Sequence, residues 1–262
     1  MPTVNAISEF LDALAPPDLA EDWDNVGLLV GDRETAVDRL MTCLTVTPAS
    51  ANEAIDRGAD LVITHHPLPF RPLKHLTTDT TPGRLLLDLI RADIAVYSPH
   101  TAFDSAASGI NQRLAEGLGL DDIQPLLADK NNANIGAGRF GRLASSRPLR
   151  EMIERVKTFL SVEGLHAVGS PEQQVSVVAV ACGAAGQFLS VARANGCNLL
   201  ITGETNFHTC LEAEASNIAM LLPGHFASER FAVELLANEL ERNFTDVEVW
   251  ASEREADPLV WV

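Results

Sequence analysis

Four of the seven histidines in this 262-residue chain follow short apolar runs that read as strands: His65, His66, His100 and His225. In open α/β sheets the carboxyl ends of strands border the ligand crevice. His65 and His66 are adjacent, and regular strand geometry sends neighbouring side chains to opposite faces. Where the strand gives way to a loop before Pro67, both rings can turn toward one place. His100 and His225 each have an acid four residues on, Asp104 and Glu229. Imidazole and carboxylate together suit zinc, iron, manganese, nickel or cobalt. A carboxylate bridges two ions readily and an imidazole does not, so a dinuclear site needs Asp104 or Glu229 between the histidines. Two ions about 3.5–4 Å apart would activate a bridging water and clamp the attacking and leaving oxygens. A single histidine at a strand end is more often a satisfied polar group, and Asp104 and Glu229 equally suit the positive ends of helices. His75, His166 and His208 do not fit the layout, although His208 lies four residues after Glu204.

The elements that must position these residues follow from hydrophobic periodicity. Val4–Leu14 has a single apolar stripe of Ile7, Phe10, Leu11 and Leu14 and reads as a helix. Strands are expected at 26–30, 40–46, Leu61–Thr64, 94–97, 175–180, Leu199–Thr202 and Ala219–Leu222, with a last short one after 247. Helices are expected at 48–57, 83–92, 108–118, Leu149–Leu160, 188–195, 211–216 and 228–242. Pro48 sits near a first helical turn, where its missing N–H costs little. Strands and helices alternate, which favours layered α/β structure with a substantially parallel sheet. Residues 121–146 depart from this pattern. The stretch 129–134 is polar and turn-forming, and 135–141 is rich in glycine. No GK[ST] follows and the spacing is not GxGxxG, so a turn or bulge is favoured over a phosphate cradle. The expected division is 1–124, carrying the His-His and H-x3-D motifs, and 125–262, with the C-terminal segment packing back on the first part.

The two ends of the chain echo each other. Residues 58–64 (GADLVIT) match 196–202 (GCNLLIT), and each run ends in polar residues, His65-His66-Pro67 and Gly203-Glu204. Each copy then continues through a helix and a strand to H-x-x-x-[DE]. This is an internal duplication or one layout used twice.

Composition narrows the function classes. Apolar residues make up 46% and charged residues 21%, as in ordinary globular chains. The net charge of −17 repels phosphate backbones, which disfavours nucleic-acid binding. Arg71 with Lys74 is the best local basic spot. No apolar run approaches the ~18 residues of a membrane helix, and no secretory signal is visible. Cys43, Cys182, Cys197 and Cys210 form no CxxC pair, so reduced thiols in a cytoplasmic protein are expected. Neither HExxH, GxSxG nor the paired motifs of zinc deaminases occur.

Six stretches, running nearly end to end, carry a family resemblance. They are WDNVGL at 23–28, ITHHPL at 63–68 with Phe70, HTAFD at 100–104, GRFG at 138–141, LITGE at 200–204 and GHFASE at 224–229. The chain resembles the Nif-three-like dinuclear metal-binding proteins, often labelled GTP cyclohydrolase I type 2 homologues. The resemblance implies two α/β domains, without the inserted middle domain that some members carry. It implies two divalent ions per subunit held at His65, His66, Asp104, His225 and Glu229. His100 falls in the motif as a candidate catalytic group that orients a ligand or shuttles a proton. Toroidal homohexamers are also implied. Ala102 stands where Asn is usual and Thr45 where Asp is common, and 206–208 is less basic. The functional expectation is a metal-dependent hydrolase of a small, nucleotide-like or phosphorylated molecule. The alternative is a metal-binding, delivery or scaffold protein without turnover.

Overall fold

The computed structural model describes residues 1–130 and 132–260. Asn131 of the polar turn and Trp261 and Val262 of the tail lie outside the described residues. The first elements are α1 (Val4–Leu14), β1 (Gly27–Val30), β2 (Arg39–Cys43), α2 (Pro48–Asp56), β3 (Leu61–Thr64), α3 (Thr81–Arg91), β4 (Ala95–Ser98), α4 (His100–Ser105) and α5 (Ile110–Gly117). There follow β5 (Asp121–Ala128), β6 (Gly136–Pro148), α6 (Leu149–Leu160), β7 (His166–Val168), β8 (Gln174–Ala181), α7 (Leu189–Ala194), β9 (Leu199–Thr202), α8 (Phe207–Ala215), β10 (Ala219–Leu222), α9 (His225–Asn243) and β11 (Glu248–Ala251). The chain is mixed α/β, as its periodicity predicts. It forms two units, one of Met1–Phe103 with Ala232–Pro258 and one of Asp104–Phe231. The position 124/125 lies inside β5, which pairs with β6 in the second unit's sheet.

The first unit is built on a five-stranded sheet ordered β1-β4-β3-β2-β11. All pairs are parallel except β1 with β4. Strands buried on both faces need continuous apolar runs. On one face Met41, Cys43, Val62 and Val96 pack with Leu85, Leu86 and Leu89 of α3 and Ala51 and Ala54 of α2. Leu40, Leu61 and Ile63 point the other way and are equally buried. Thr47 caps α2 through a reciprocal bond with Ser50, and Pro48 takes its first position.

The second unit's sheet is ordered β5-β6-β8-β9-β10-β7. Here only β8/β9 and β9/β10 are parallel, so the expectation of a mainly parallel sheet holds for the first unit alone. The difference comes from 121–148, which forms a long antiparallel hairpin, and from β7, which runs antiparallel to β10 at the other edge. The hairpin's turn is closed by Asp129 N–H to the Ile135 carbonyl at 2.9 Å. The glycines are there for close approach: a Cβ on Gly136 (φ +139°) would sit 2.2 Å from the Leu127 carbonyl oxygen. α5 and α6 cover one face of this sheet and α7 and α8 the other. No helix among the described residues is long and apolar enough to cross a membrane.

Two buried charges brace these units. In the second, Arg139 is 1% exposed and donates to the carbonyls of Gly136, Gly138, Ser105 and Ala106 and to Gln112 Oε1. In the first, the Glu53 carboxylate on α2 accepts from Trp250 Nε1, Ser252 Oγ and the backbone N–H groups of Glu253 and Arg254. Burial raises its pKa, but those donors outweigh burial and hold it below the ordinary 4.5. A carboxylate depressed in the folded state contributes stability that is complete above its unfolded value and lost as pH falls through its folded one. The unfolding midpoint in urea is therefore expected to fall below about pH 4.5, the ordinary glutamate value, and Glu53→Gln is expected to flatten that acid limb. An identical acid limb in the variant would refute the assignment. Arg139→Ala is expected to cost about 3 kcal/mol at pH 7 by the same measurement, since it strands buried acceptors.

Candidate metal centre

β3 ends at Thr64, and the next two residues are held by the end of β2. His65 N–H donates to the Cys43 carbonyl at 3.0 Å and His66 N–H to that of Leu44 at 2.8 Å. Ser98, at the tip of β4, donates to the His65 carbonyl at 2.7 Å. His100 begins α4 with a φ of +25°, sterically disfavoured for a residue with a Cβ. These contacts bring the three rings together, with centroids 5.1, 5.2 and 5.6 Å apart. One ring nitrogen from each of His65, His66 and His100 lies within 4.8 Å of the other two. His65 and His100 are buried and His66 is half-buried.

Two of these rings are oriented through Nδ1. Thr45 Oγ1 lies 2.7 Å from His66 Nδ1, and Asp24 Oδ1 lies 2.7 Å from His100 Nδ1. The Asp24 side chain is 1% exposed. Its other oxygen accepts from Thr101 N–H and Thr101 Oγ1 and so also anchors the start of α4. Burial raises the Asp24 pKa, but the bonds to His100 and Thr101 and the charge of His100 outweigh it and hold the group at about 2. With Nδ1 engaged, Nε2 is the ring nitrogen directed to coordination or proton exchange. Three imidazoles converging in this way fit a divalent ion of the zinc-to-manganese range.

Beside the triad stand two exposed rings. Trp23 is 61% and Phe70 47% exposed. Their centroids lie 5.9 Å apart, and 6.0 and 5.7 Å respectively from that of His100. Asn25 Nδ2 donates to the Pro69 carbonyl at 2.9 Å, which ties the two loops together.

In the second unit, His225 and Glu229 lie one turn apart at the start of α9, with His225 Nε2 3.2 Å from Glu229 Oε2. Glu204, just past β9, meets His225 Nδ1 at 2.9 Å. The Glu229 bond is the largest cause that raises the His225 pKa, to about 9, against burial and with Glu204 adding. Three strand tips are knitted here. Ser228 Oγ accepts from Gly183 N–H and donates to the His225 carbonyl, and Thr202 Oγ1 donates to the Gly183 carbonyl. Asp104 Oδ1 lies 3.6 Å from Cys182 Sγ, and Asn111 ties the Asp104 carbonyl to the Cys182 N–H. Burial, then the charges of Asp104 and Glu229, push the Cys182 thiol well above its usual value, which disfavours the thiolate.

The structure thus gathers His65, His66 and His100 within the first unit, and His225 with Glu229 within the second. Asp104 is met there by Cys182 and Asn111. Asp24 and Glu204 are contacts of the motif histidines that periodicity and spacing do not assign. Asp24 reads as part of a polar break, and its partner His100 is 76 residues away. The signal that could have found it is the unbroken WDN run, in which Trp23, Asp24 and Asn25 all contact the histidine loops.

A family model for Duf34/NIF3 (NGG1p interacting factor 3) matches residues 2–258. A protein of Clostridium acetobutylicum named GTP cyclohydrolase 1 type 2 homolog is 36% identical over 240 residues, covering 91% of this chain and 89% of that protein. A Clostridium perfringens protein of the same name is 34% identical, covering 99% of each. The crystal structure of a Bacillus cereus protein related to NIF3 superimposes with a TM-score of 0.90 at 23% identity, over 100% of this chain and 99% of the other. At that identity the likeness is one of fold.

Gly183 supplies a test of the second unit's geometry. Its φ is +64°, and a Cβ there would lie 2.4 Å from Glu229 Oε1. Gly183→Ala is expected to cost about 1–3 kcal/mol in thermal unfolding and to displace the Glu229 carboxylate in a crystal structure of the variant. An unmoved Glu229 would show that the glycine is incidental.

Proposed function

Because the chain belongs to the DUF34/NIF3 family, we propose that it is a cytoplasmic, dinuclear metal-dependent hydrolase of a small nucleotide-like substrate. The observation that carries this reading is the meeting of His65 and His66 beside His100, with ring nitrogens within 4.8 Å, the adjacent pair serving as ligands and His100 as the group next to them. The proposed ligands for two divalent ions are His65 and His66 in the first unit and Asp104, His225 and Glu229 in the second. When bound, such ions supply Lewis acidity and lower the pKa of water.

The chain's own residues have separate tasks. Thr45 orients His66, and Glu204 orients His225. His100 is proposed as the catalytic group that carries a proton at Nε2, with Asp24 at Nδ1 fixing the ring's orientation. Trp23 and Phe70 present exposed faces on which a planar base can stack. Arg71 and Lys74, exposed on the loop that follows Phe70, are cations available to a phosphate in an otherwise acidic chain. The name shared by the two clostridial relatives supports a purine nucleotide as the first substrate to try. A homohexameric assembly is proposed as well and is read directly by light scattering.

The test is elemental analysis of purified protein and its variants, followed by a substrate screen with each metal found. His65→Ala and Glu229→Ala are expected to lose metal, and full wild-type content in both would end the ligand assignment. His100→Asn is expected to keep its metal and lose turnover about 10²–10⁴-fold. Loss of metal in that variant would make His100 a ligand instead. Trp23→Ala is expected to raise KM roughly 5–100-fold, the value of one stacked base. Stoichiometric metal without turnover on any substrate would favour a binding or delivery protein.

A further inference from the structure

β2 ends at Cys43, and the two residues after it have backbone N–H groups that no strand takes. Both go to one carboxylate from the far end of the chain: Leu44 N–H donates to Glu255 Oε2 at 2.8 Å and Thr45 N–H to Glu255 Oε1 at 2.6 Å. All of these residues belong to the first unit. Glu255 is itself held in place. Its N–H donates to Ser252 Oγ, whose hydroxyl donates to Glu53 Oε2 at 2.6 Å, and Ser252 N–H donates to the Thr42 carbonyl at 2.7 Å. The buried Glu53 also takes the N–H groups of Glu253 and Arg254. The segment 252–255 is thus fixed against β2 and α2, with the Glu255 carboxylate gripping the 44–45 backbone.

The opposite side of that same two-residue segment grips His66. The Leu44 carbonyl accepts from His66 N–H at 2.8 Å and from Thr64 Oγ1 at 3.2 Å. Thr45 Oγ1 holds His66 Nδ1 at 2.7 Å. A carboxylate spanning two successive amides is a charge-assisted, two-point contact that leaves the segment little freedom. We propose that Glu255 is a positioning residue for His66: by fixing Leu44 and Thr45 it sets the ring that presents Nε2 to a metal ion. The inference rests on the reading of His66 as a metal donor. It adds that the C-terminal segment, which contains none of the proposed ligands, sets the affinity of the centre. Partners of this kind are commonly worth 10–100-fold in metal affinity.

Cobalt(II) is a suitable probe, since its visible absorption reports the ligands directly. Glu255→Gln replaces one of the two acceptor oxygens with an NH2 donor facing an N–H, and is expected to weaken cobalt binding about 10-fold or more. Glu255→Asp keeps the charge but shortens the reach, and is expected to weaken it as well. Thr45→Val is expected to match that loss and Thr45→Ser to restore wild-type binding. The double variant Glu255→Gln/Thr45→Val is expected to be no weaker than the poorer single. Cobalt affinity within about twofold of wild type in Glu255→Gln, full affinity in Glu255→Asp, or multiplying effects in the double variant would overturn the proposal. The ring nitrogen resonances of His66 in metal-free protein provide an independent reading, expected to shift in Glu255→Gln. If wild-type protein binds no cobalt, the donor reading fails by itself, and unchanged His66 resonances would then reject the positioning role separately.

Discussion

A metal ligand or proton carrier must present one ring nitrogen, and the imidazole has two. The structure resolves this by occupying Nδ1 with an oxygen in three of its motif histidines: Thr45 for His66, Asp24 for His100 and Glu204 for His225. The choice of oxygen is also a choice of charge. A carboxylate at Nδ1 stabilises the protonated ring and makes the neutral one more basic, whereas a hydroxyl fixes direction with little electrostatic effect. Asp24 gives His100 a carboxylate at Nδ1, and Thr45 gives His66 a hydroxyl.

Such contacts hold only if the backbone beneath them is rigid, and that rigidity comes from strand ends. β2, β3 and β4 are parallel and in register, so their carboxyl ends stop together. Cys43, Leu44 and Ser98 can then bind the backbone of His65 and His66 directly. In the second unit the same role falls to β8, β9 and β10, whose tips approach too closely at Gly203 for a side chain. A Cβ on Gly203 would lie 2.5 Å from Ser228 Oγ and 2.7 Å from the Gly183 carbonyl. The glycine of the LITGE run thus belongs to the packing of these tips, since a bulkier residue would push them apart.

Legibility in the sequence follows from how local each cause is. β3, β9 and β10 are short continuous apolar runs because both their faces are buried, and α1 and α6 carry one clean stripe each; all five are readable to the residue. The hairpin β5–β6 is hidden, because Gly136, Gly138 and Gly141 lower strand propensity and their purpose is approach to the partner strand. α4 is hidden for another reason. It has six residues, starts directly after Pro99, and is anchored by Asp24 from far away in the sequence. The histidines announce themselves by type and spacing. Their orienting partners do not, since Thr45, Asp24 and Glu204 are common residues whose role exists only once the chain has folded.

The echo between the two halves survives in the fold, and its failures are informative. β3-α3-β4-α4 and β9-α8-β10-α9 run in the same order, the strands of each copy are parallel, and each final helix begins with a histidine. At the strand tips the copies diverge. The tip after β3 supplies two imidazoles, so the carboxylate for His100 must come from elsewhere, and Asp24 provides it. The tip after β9 supplies Glu204, which serves its own copy's histidine directly. One backbone layout therefore yields an imidazole-rich group in the first unit and a carboxylate-rich group in the second. Their chemistry differs in the sense that matters for cations: neutral nitrogen donors tolerate a soft or borderline ion, and anionic oxygens add charge neutralisation. A chain that duplicated this layout without changing its tips would carry two like groups, whereas this one carries imidazoles at one tip and carboxylates at the other.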